Sequence, residues 1–229
     1  MLIFALRNSL WALLFIVFPY LSAAQAAIQL QQTRLIYPAG KPSVAIAIRN
    51  TDNRHAVAVE SWIESDKPGI MIKPAKVVIP PESKKEINIH IPDDRHLLKQ
   101  EVLYWLDIKA IPLPEGAENK QMAISVINRI KVFYRPRFLK LSAAEADNYL
   151  VVRVCNKKLT IENPTPYYIN FYSFTLDNQE VKQIKIVAPY ETLAVSLPAA
   201  GKYSKAGWQV ISDTGFHNRS MFKEVITGC

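Results

Sequence analysis

The chain has 229 residues with 28 Lys and Arg against 20 Asp and Glu, a net charge of +8, and only two cysteines. A positive balance favours anionic partners. The basic residues are nevertheless scattered, with no dense Lys/Arg run, no basic helix and no zinc-finger spacing, which argues against the usual nucleic-acid-binding modules.

The amino-terminal segment carries Arg7 and then SLWALLFIVFPYLSAAQA, closing on Ala24-Gln25-Ala26, the small-x-small pattern that a signal peptidase cleaves. Residues 1–26 therefore read as an export leader. A membrane anchor is the alternative, but the uninterrupted apolar core, residues 9–18, is short of the about 20 residues a spanning helix needs. No later apolar run is long enough to span, so the expected mature chain is exported, with no stable membrane insertion. Cleavage removes one basic residue, Arg7, and leaves a net charge near +7. About 200 residues remain, enough for one large domain or two of about 100.

From residue 28 onward the pattern alternates with period two. Seven runs precede residue 137: IQLQQTRLIY, PSVAIAIRN, AVAVESWIES, GIMIKPAKVVIP, KKEINIHIP, EVLYWLDIKAIP and QMAISVINRIKVFYRP. Val44, Ile46 and Ile48 share one face, as do Ile87, Ile89 and Ile91, so these are half-buried antiparallel strands. The stretch SAAEADN interrupts the pattern as a helical turn or linker. Seven more runs follow: VVRVC, KLTIENP, YYINFYSF, VKQIKIVAP, ETLAVSL, GWQVIS and MFKEVIT. Seven short strands separated by turn residues is the count of an immunoglobulin-like sandwich, and the count occurs twice. The expected fold is all-β, with a leader at 1–26, one sandwich at 27–140 and a second at 141–229.

Cys155 and Cys229 are an even count in an oxidising compartment. A bridge would close 74 residues and contribute about 4 kcal/mol; two separate thiols are the alternative. Catalytic signatures are missing. His55, His90, His96 and His217 form no HExxH pair and lie at no ligand spacing, and the seven glycines make no GxGxxG, GxSxG or phosphate loop. The expectation is no enzyme, no catalytic or metal site and no cofactor.

Binding is the stronger reading. In QMAISVINRIKVFYRP, Met122, Ile124, Val126, Asn128, Ile130 and Val132 share one parity, while Ala123, Ser125, Ile127, Arg129 and Lys131 share the other. Both faces carry apolar groups. Such a strand is either central in its own sheet or an edge offered to a partner. Lys131 and Arg135 within it call for something anionic.

Three stretches, RIKVFYRP (129–136), ENPTPYY (162–168) and TRLIYPAG around Arg34, resemble the periplasmic pilus-assembly chaperones of the chaperone–usher pathway, the PapD-like family. QEVLYWLDIKAIPL matches less well, with Val102, Asp107 and Leu113 departing from the family's wording. The resemblance runs in order through residues 27–229. It implies two immunoglobulin-like domains at roughly a right angle and a periplasmic location. It also implies fimbrial subunits and an outer-membrane usher as partners. Arg34 and Lys131 match the positions that bind a subunit's terminal carboxylate, and Met122, Ile124 and Val126, continued by Asn128 and Ile130, match the strand donated to the subunit. Glu101, Arg135 and Asp213 match an interdomain charge cluster. The short connection PLPEGAENK implies the class that builds rod-like pili. A secreted adhesin or structural sandwich is the alternative, though it has no reason to combine this strand with the Arg34–Lys131 pair.

Overall fold

A computed structural model describes residues 28–65, 69–92, 98–113, 124–198, 201 and 203–227. The expected leader, Met122, Cys229 and most of PLPEGAENK lie outside the described residues. The rest folds into two β-sandwiches.

The first is built from β1 (Ile28–Leu30), β2 (Arg34–Pro38), β3 (Val44–Asn50), β4 (Val57–Glu64), β5 (Met71–Lys73), β6 (Lys76–Ile79), β7 (Lys84–His90), β8 (Val102–Pro112) and β9 (Val126–Arg135). One sheet has the order β1-β3-β7-β5 and the other β2-β9-β8-β4-β6. Ile46, Ile48, Ile87 and Ile89 of the first sheet meet Leu106, Ile108, Val132 and Tyr134 of the second in a closed core. Alternation sends every second side chain inward, so period two in the sequence becomes the two faces of each sheet.

The second comprises β10 (Val151–Cys155), β11 (Lys158–Glu162), β12 (Ile169–Leu176), β13 (Gln179–Glu180), β14 (Ile186–Val187), β15 (Thr192–Ser196), β16 (Lys205–Val210), β17 (Met221–Glu224) and β18 (Ile226–Thr227). Its sheets run β15-β11-β10-β18 and β13-β12-β16-β17, with β14 beside β12. Phe174 and Trp208 stack with ring centroids 6.2 Å apart at the centre of its core. SAAEADN forms a short 3-10 helix, Ala143–Tyr149, whose Ala146 closes that core.

Three runs that read as single strands each divide between two sheets. IQLQQTRLIY breaks at Gln31–Thr33, so β1 pairs antiparallel with β3 while β2 pairs parallel with β9. GIMIKPAKVVIP breaks at Pro74, which has no N–H for a ladder, into β5 and β6 on opposite sheets. MFKEVIT breaks at buried Val225, leaving β17 beside β16 and β18 parallel to β10. VKQIKIVAP contributes only β14, because two residues suffice to bridge β12 at that point.

One buried asparagine organises the same corner in each sandwich. Asn50 donates to the carbonyls of His55, Ile79 and Pro80 at 2.8, 3.1 and 3.1 Å. Asn163 donates to those of Tyr167 and Ala188 at 2.7 and 2.9 Å and accepts from the Thr165 N–H and hydroxyl. Each satisfies loop carbonyls that burial would otherwise strand, so an asparagine in ENPTPYY is a structural requirement of the loop.

Candidate functional site

The site begins with β9, which changes character along its length. β8 flanks it from Val126 to Tyr134, but β2 covers its other side only from Lys131 to Arg135. It is a central strand at one end and an edge at the other, so both sequence readings hold, each for half the strand. Ile124, Val126 and Ile127 are 71%, 43% and 54% exposed along or just ahead of the open edge, and Asn128 is half-buried. Ile130 shares the parity of Ile124, Val126 and Asn128 yet lies in its own domain's core with Val132 and Tyr134. It borders the stretch that β2 covers, where the inner side chains of β9 close the sandwich, so Ile130 is not among the side chains the free edge presents.

Where the edge ends, two cations meet. Arg34, first residue of β2, stands in register opposite Lys131 of β9. Arg34 is only 8% exposed: its Nη1 donates to the Ile211 carbonyl at 2.9 Å, its guanidinium lies 5.9 Å from the Phe133 ring centroid, and its Nε is buried without a hydrogen-bond partner. The Lys131 ammonium sits 5.5 Å from the centroid of Trp105, its cross-strand neighbour on β8. Among the described residues no carboxylate forms an ion pair with either. Burial and the nearby Arg34 charge pull the Lys131 ammonium below the ordinary lysine value. Burial likewise lowers Arg34, against the distant pull of Asp213 and Glu101. Two partly desolvated cations in register on neighbouring strands suit an anion chemically, because charge-assisted hydrogen bonds gain from a low local dielectric.

Sequence positions 34 and 131 meet because β2 pairs in parallel with β9, and the far end of β9 abuts the second domain. Arg135 donates from Nε to Glu101 Oε1 at 2.7 Å and grips Asp213 with both terminal nitrogens at 2.6 and 2.8 Å. Glu101 also accepts the Tyr168 N–H at 3.0 Å, and its own N–H donates to the Pro166 carbonyl. The expected three-residue charge cluster is thus assembled between the domains. Burial opposes the Arg135 charge, but the hydrogen bonds and charges of Asp213 and Glu101 outweigh it and hold the group above its ordinary value. Burial pushes the Glu101 carboxyl up, with Arg135 and the Tyr168 amide pulling it back. Phe133 packs on Tyr168 with ring centroids 5.7 Å apart, adding an apolar contact to the hinge.

One turn of domain two supplies both ends of this arrangement. Ile211 gives Arg34 its carbonyl and Asp213 holds Arg135, while Gly215 adopts φ +89° with the Thr33 hydroxyl 2.7 Å from where a Cβ would stand. Gly40 plays a matching part in YPAG: at φ +79° a Cβ would collide with the Arg137 guanidinium, which donates to the Ala39 carbonyl. Between the domains, Arg34, Glu101, Phe133, Arg135, Tyr168 and Asp213 line a cavity of about 190 Å³.

Residue reasoning missed Trp105, Phe133, Tyr168 and the Ile211 carbonyl. Alternation in VLYWLDIKAIP does place Trp105 and Asp107 on the face opposite the core, the one available signal. His55 contacts Asp52, His90 the Pro42 carbonyl, and His217 stacks on Tyr172, each a local contact away from the cleft. Cys155 is disulfide-bonded. Among the described residues no helix is long and apolar enough to cross a membrane.

Fold and site define a two-domain immunoglobulin-like protein in which, among the described residues, an open strand edge leads to a pair of cations in register. Residues 27–140 match the family model described as Pili and flagellar-assembly chaperone, PapD N-terminal domain, and residues 145–222 match Pili assembly chaperone PapD, C-terminal domain. The chain belongs to the PapD-like family of pilus-assembly chaperones, and its function is that of a chaperone, not an enzyme. It is 31% identical over 223 residues to chaperone protein FocC of Escherichia coli, spanning 90% of this chain and 94% of FocC. The crystal structure of the Pseudomonas aeruginosa CupB2 chaperone is 26% identical with a TM-score of 0.69, covering 86% of this chain and all of that one. A chain in the Salmonella enterica SafA pilin–SafB chaperone complex has a TM-score of 0.75 at 23% identity, covering 89% of this chain and 98% of that one.

Proposed function

We propose that this chaperone works in the periplasm, captures fimbrial subunits by lending them the open part of β9, and passes them to an outer-membrane usher. Arg34 and Lys131 bind the subunit's terminal carboxylate, and the exposed Ile124 and Val126, preceded by Met122, fill the subunit's groove. The observation that carries this reading is the uncompensated Arg34–Lys131 pair standing where the unpaired edge of β9 ends.

On this reading the incoming strand has a definite direction. β2 runs parallel to β9 and begins at Arg34. A strand lying along residues 124–130 with its carboxylate at Lys131 therefore runs parallel to β9, in line with β2, as if β2 were extended backwards. Main-chain ladder bonds then satisfy the free edge, and alternate side chains enter the partner. The leader at 1–26 and the units 27–140 and 141–229 complete the proposed organisation, supported by the extents of the two family matches. Glu101, Arg135 and Asp213 hold the domains so that Arg34 faces the opening, and a Cys155–Cys229 bridge ties the carboxyl terminus to β10.

Co-purification tests the clamp. Tagged protein is co-expressed with the pilus subunits of its own gene cluster, intact or as Lys131→Ala. The intact protein is expected to yield a one-to-one complex. Lys131→Ala should remain folded and lose about 10- to 100-fold in affinity, the equivalent of charge-assisted bonds worth about 1.5–3 kcal/mol. Unchanged capture by folded Lys131→Ala would refute the carboxylate role.

A further inference from the structure

β9 carries three cations on its outer face, Arg129, Lys131 and Arg135, at one parity with Phe133 between the last two. Their surroundings differ in a regular way. Arg135 faces two carboxylates, Glu101 and Asp213. Arg129 also faces two: its Nε and Nη2 donate to Asp107 Oδ1 and Oδ2, both at 2.7 Å, and Nη2 reaches Glu64 Oε2 at 3.1 Å. Asp107 is 1% exposed and stands directly opposite Arg129 on β8, and Glu64 stands opposite Trp105 one strand further on. The hydrogen bonds donated to Asp107 first, and then the Asp107 and Glu64 charges, hold the Arg129 guanidinium above its ordinary value. Lys131, between the two arginines, has among the described residues no carboxylate, only Arg34 and the Trp105 face, which it shares with Arg129 at 6.0 Å.

This spacing poses a problem that apolar alternation cannot solve. A subunit strand displaced by one residue turns its apolar face the wrong way, but one displaced by two keeps every side chain on the correct face. Parity is blind to a two-residue slip. Only the position of the carboxylate distinguishes the two registers, and a free Arg129 would offer a second docking point two residues back along the open edge.

We propose that Asp107 and Glu64 are register-determining residues: by occupying Arg129 they leave Lys131 and Arg34 as the single place where a subunit's terminal carboxylate docks. The substitution of aspartate at 107, which set this chain apart in its β8 sequence, then has a function, because a carboxylate occupies the guanidinium fork where a neutral amide would only partly do so. Trp105 serves as the shared floor that keeps both cations side by side. This assignment rests on the carboxylate-clamp reading above and adds to it the two residues that make the clamp unique.

The test is a rescue experiment with the co-expressed subunits. Lys131→Ala should weaken capture as above; combining it with Asp107→Asn and Glu64→Gln frees Arg129 and should restore complex yield by at least fivefold. Register is read by cysteine cross-linking: a subunit cysteine near the terminus that bridges Asn128→Cys in the intact background should bridge Val126→Cys in the rescued one. Asp107→Asn with Glu64→Gln and Lys131 intact should give both cross-links. If Lys131→Ala loses capture, the triple variant folds, and neither yield nor the shifted cross-link appears, the register assignment is wrong while the clamp stands. If Lys131→Ala captures normally, the clamp itself fails, and the register assignment falls with it. Should the triple variant not fold, Lys131→Ala with Asp107→Asn leaves the exposed Glu64 in place, removes the carboxylate that grips Arg129 with both oxygens, and must show the shifted cross-link above the Lys131→Ala background; its absence in folded protein overturns the proposal.

Discussion

Changing Ile124 and Val126 together to serine tests whether the open edge supplies the energy of capture. Their side chains leave 71% and 43% of their surface open. Full burial of such a side chain is worth about 1.5–3 kcal/mol, so covering the open fractions is worth about 2 kcal/mol at Ile124 and about 1 kcal/mol at Val126. The combined loss of about 3 kcal/mol corresponds to about 100- to 200-fold in affinity, and any serine hydroxyl left without a partner in the groove adds to it. The chaperone itself should hardly notice: substitutions at such exposed positions change stability by about 0.5 kcal/mol or less, about 2 °C in melting temperature at this size. Subunit diluted from denaturant into chaperone, with complex separated by size-exclusion chromatography across a concentration series, gives the affinity. An affinity within about threefold of the intact protein, with unchanged melting, would show that the edge side chains do not enter the partner.

The clamp is pH-dependent with opposite signs for folding and binding. Because burial and Arg34 lower the Lys131 pKa, the unfolded chain holds more protons than the folded one between that lowered value and the ordinary 10.5, so the free protein gains stability as pH rises through this window. Subunit affinity needs the protonated ammonium and should fall over the same rise; titrations from neutral pH upward that show rising affinity would contradict it. Arg135→Ala strands the buried Glu101 carboxylate and should cost about 3 kcal/mol in urea unfolding. Part of that loss should return on mild acidification, because Glu101, already pushed up by burial, takes a proton in the folded state before it would unfolded. Asn163→Ala leaves the Tyr167 and Ala188 carbonyls unsatisfied and should cost about 3 kcal/mol, a fall of about 6–12 °C in melting temperature.

Local pattern determined a good deal about this protein by itself. Alternation at Val44–Ile48 and Ile87–Ile91 follows from the two-fold repeat of a strand and required no partner to be known, and the doubled set of runs announced two sandwiches. The cleft residues Arg34, Lys131, Glu101, Arg135 and Asp213 were legible only through the resemblance of short motifs, since nothing local ties position 34 to position 131. Tertiary structure alone decided the rest. The runs at 28–38, 71–79 and 221–227 divide between sheets because a sandwich edge lets a strand cross over, which periodicity does not record. Ile130 packs in its own core while Val126 stays open, though their parity is identical, because Ile130 borders the stretch of β9 that β2 covers and Val126 lies four residues further out. The same accident of overlap leaves Lys131 without a carboxylate between two arginines that each have two, since charge compensation depends on which strands lie alongside, and pairing across strands is a property of the fold.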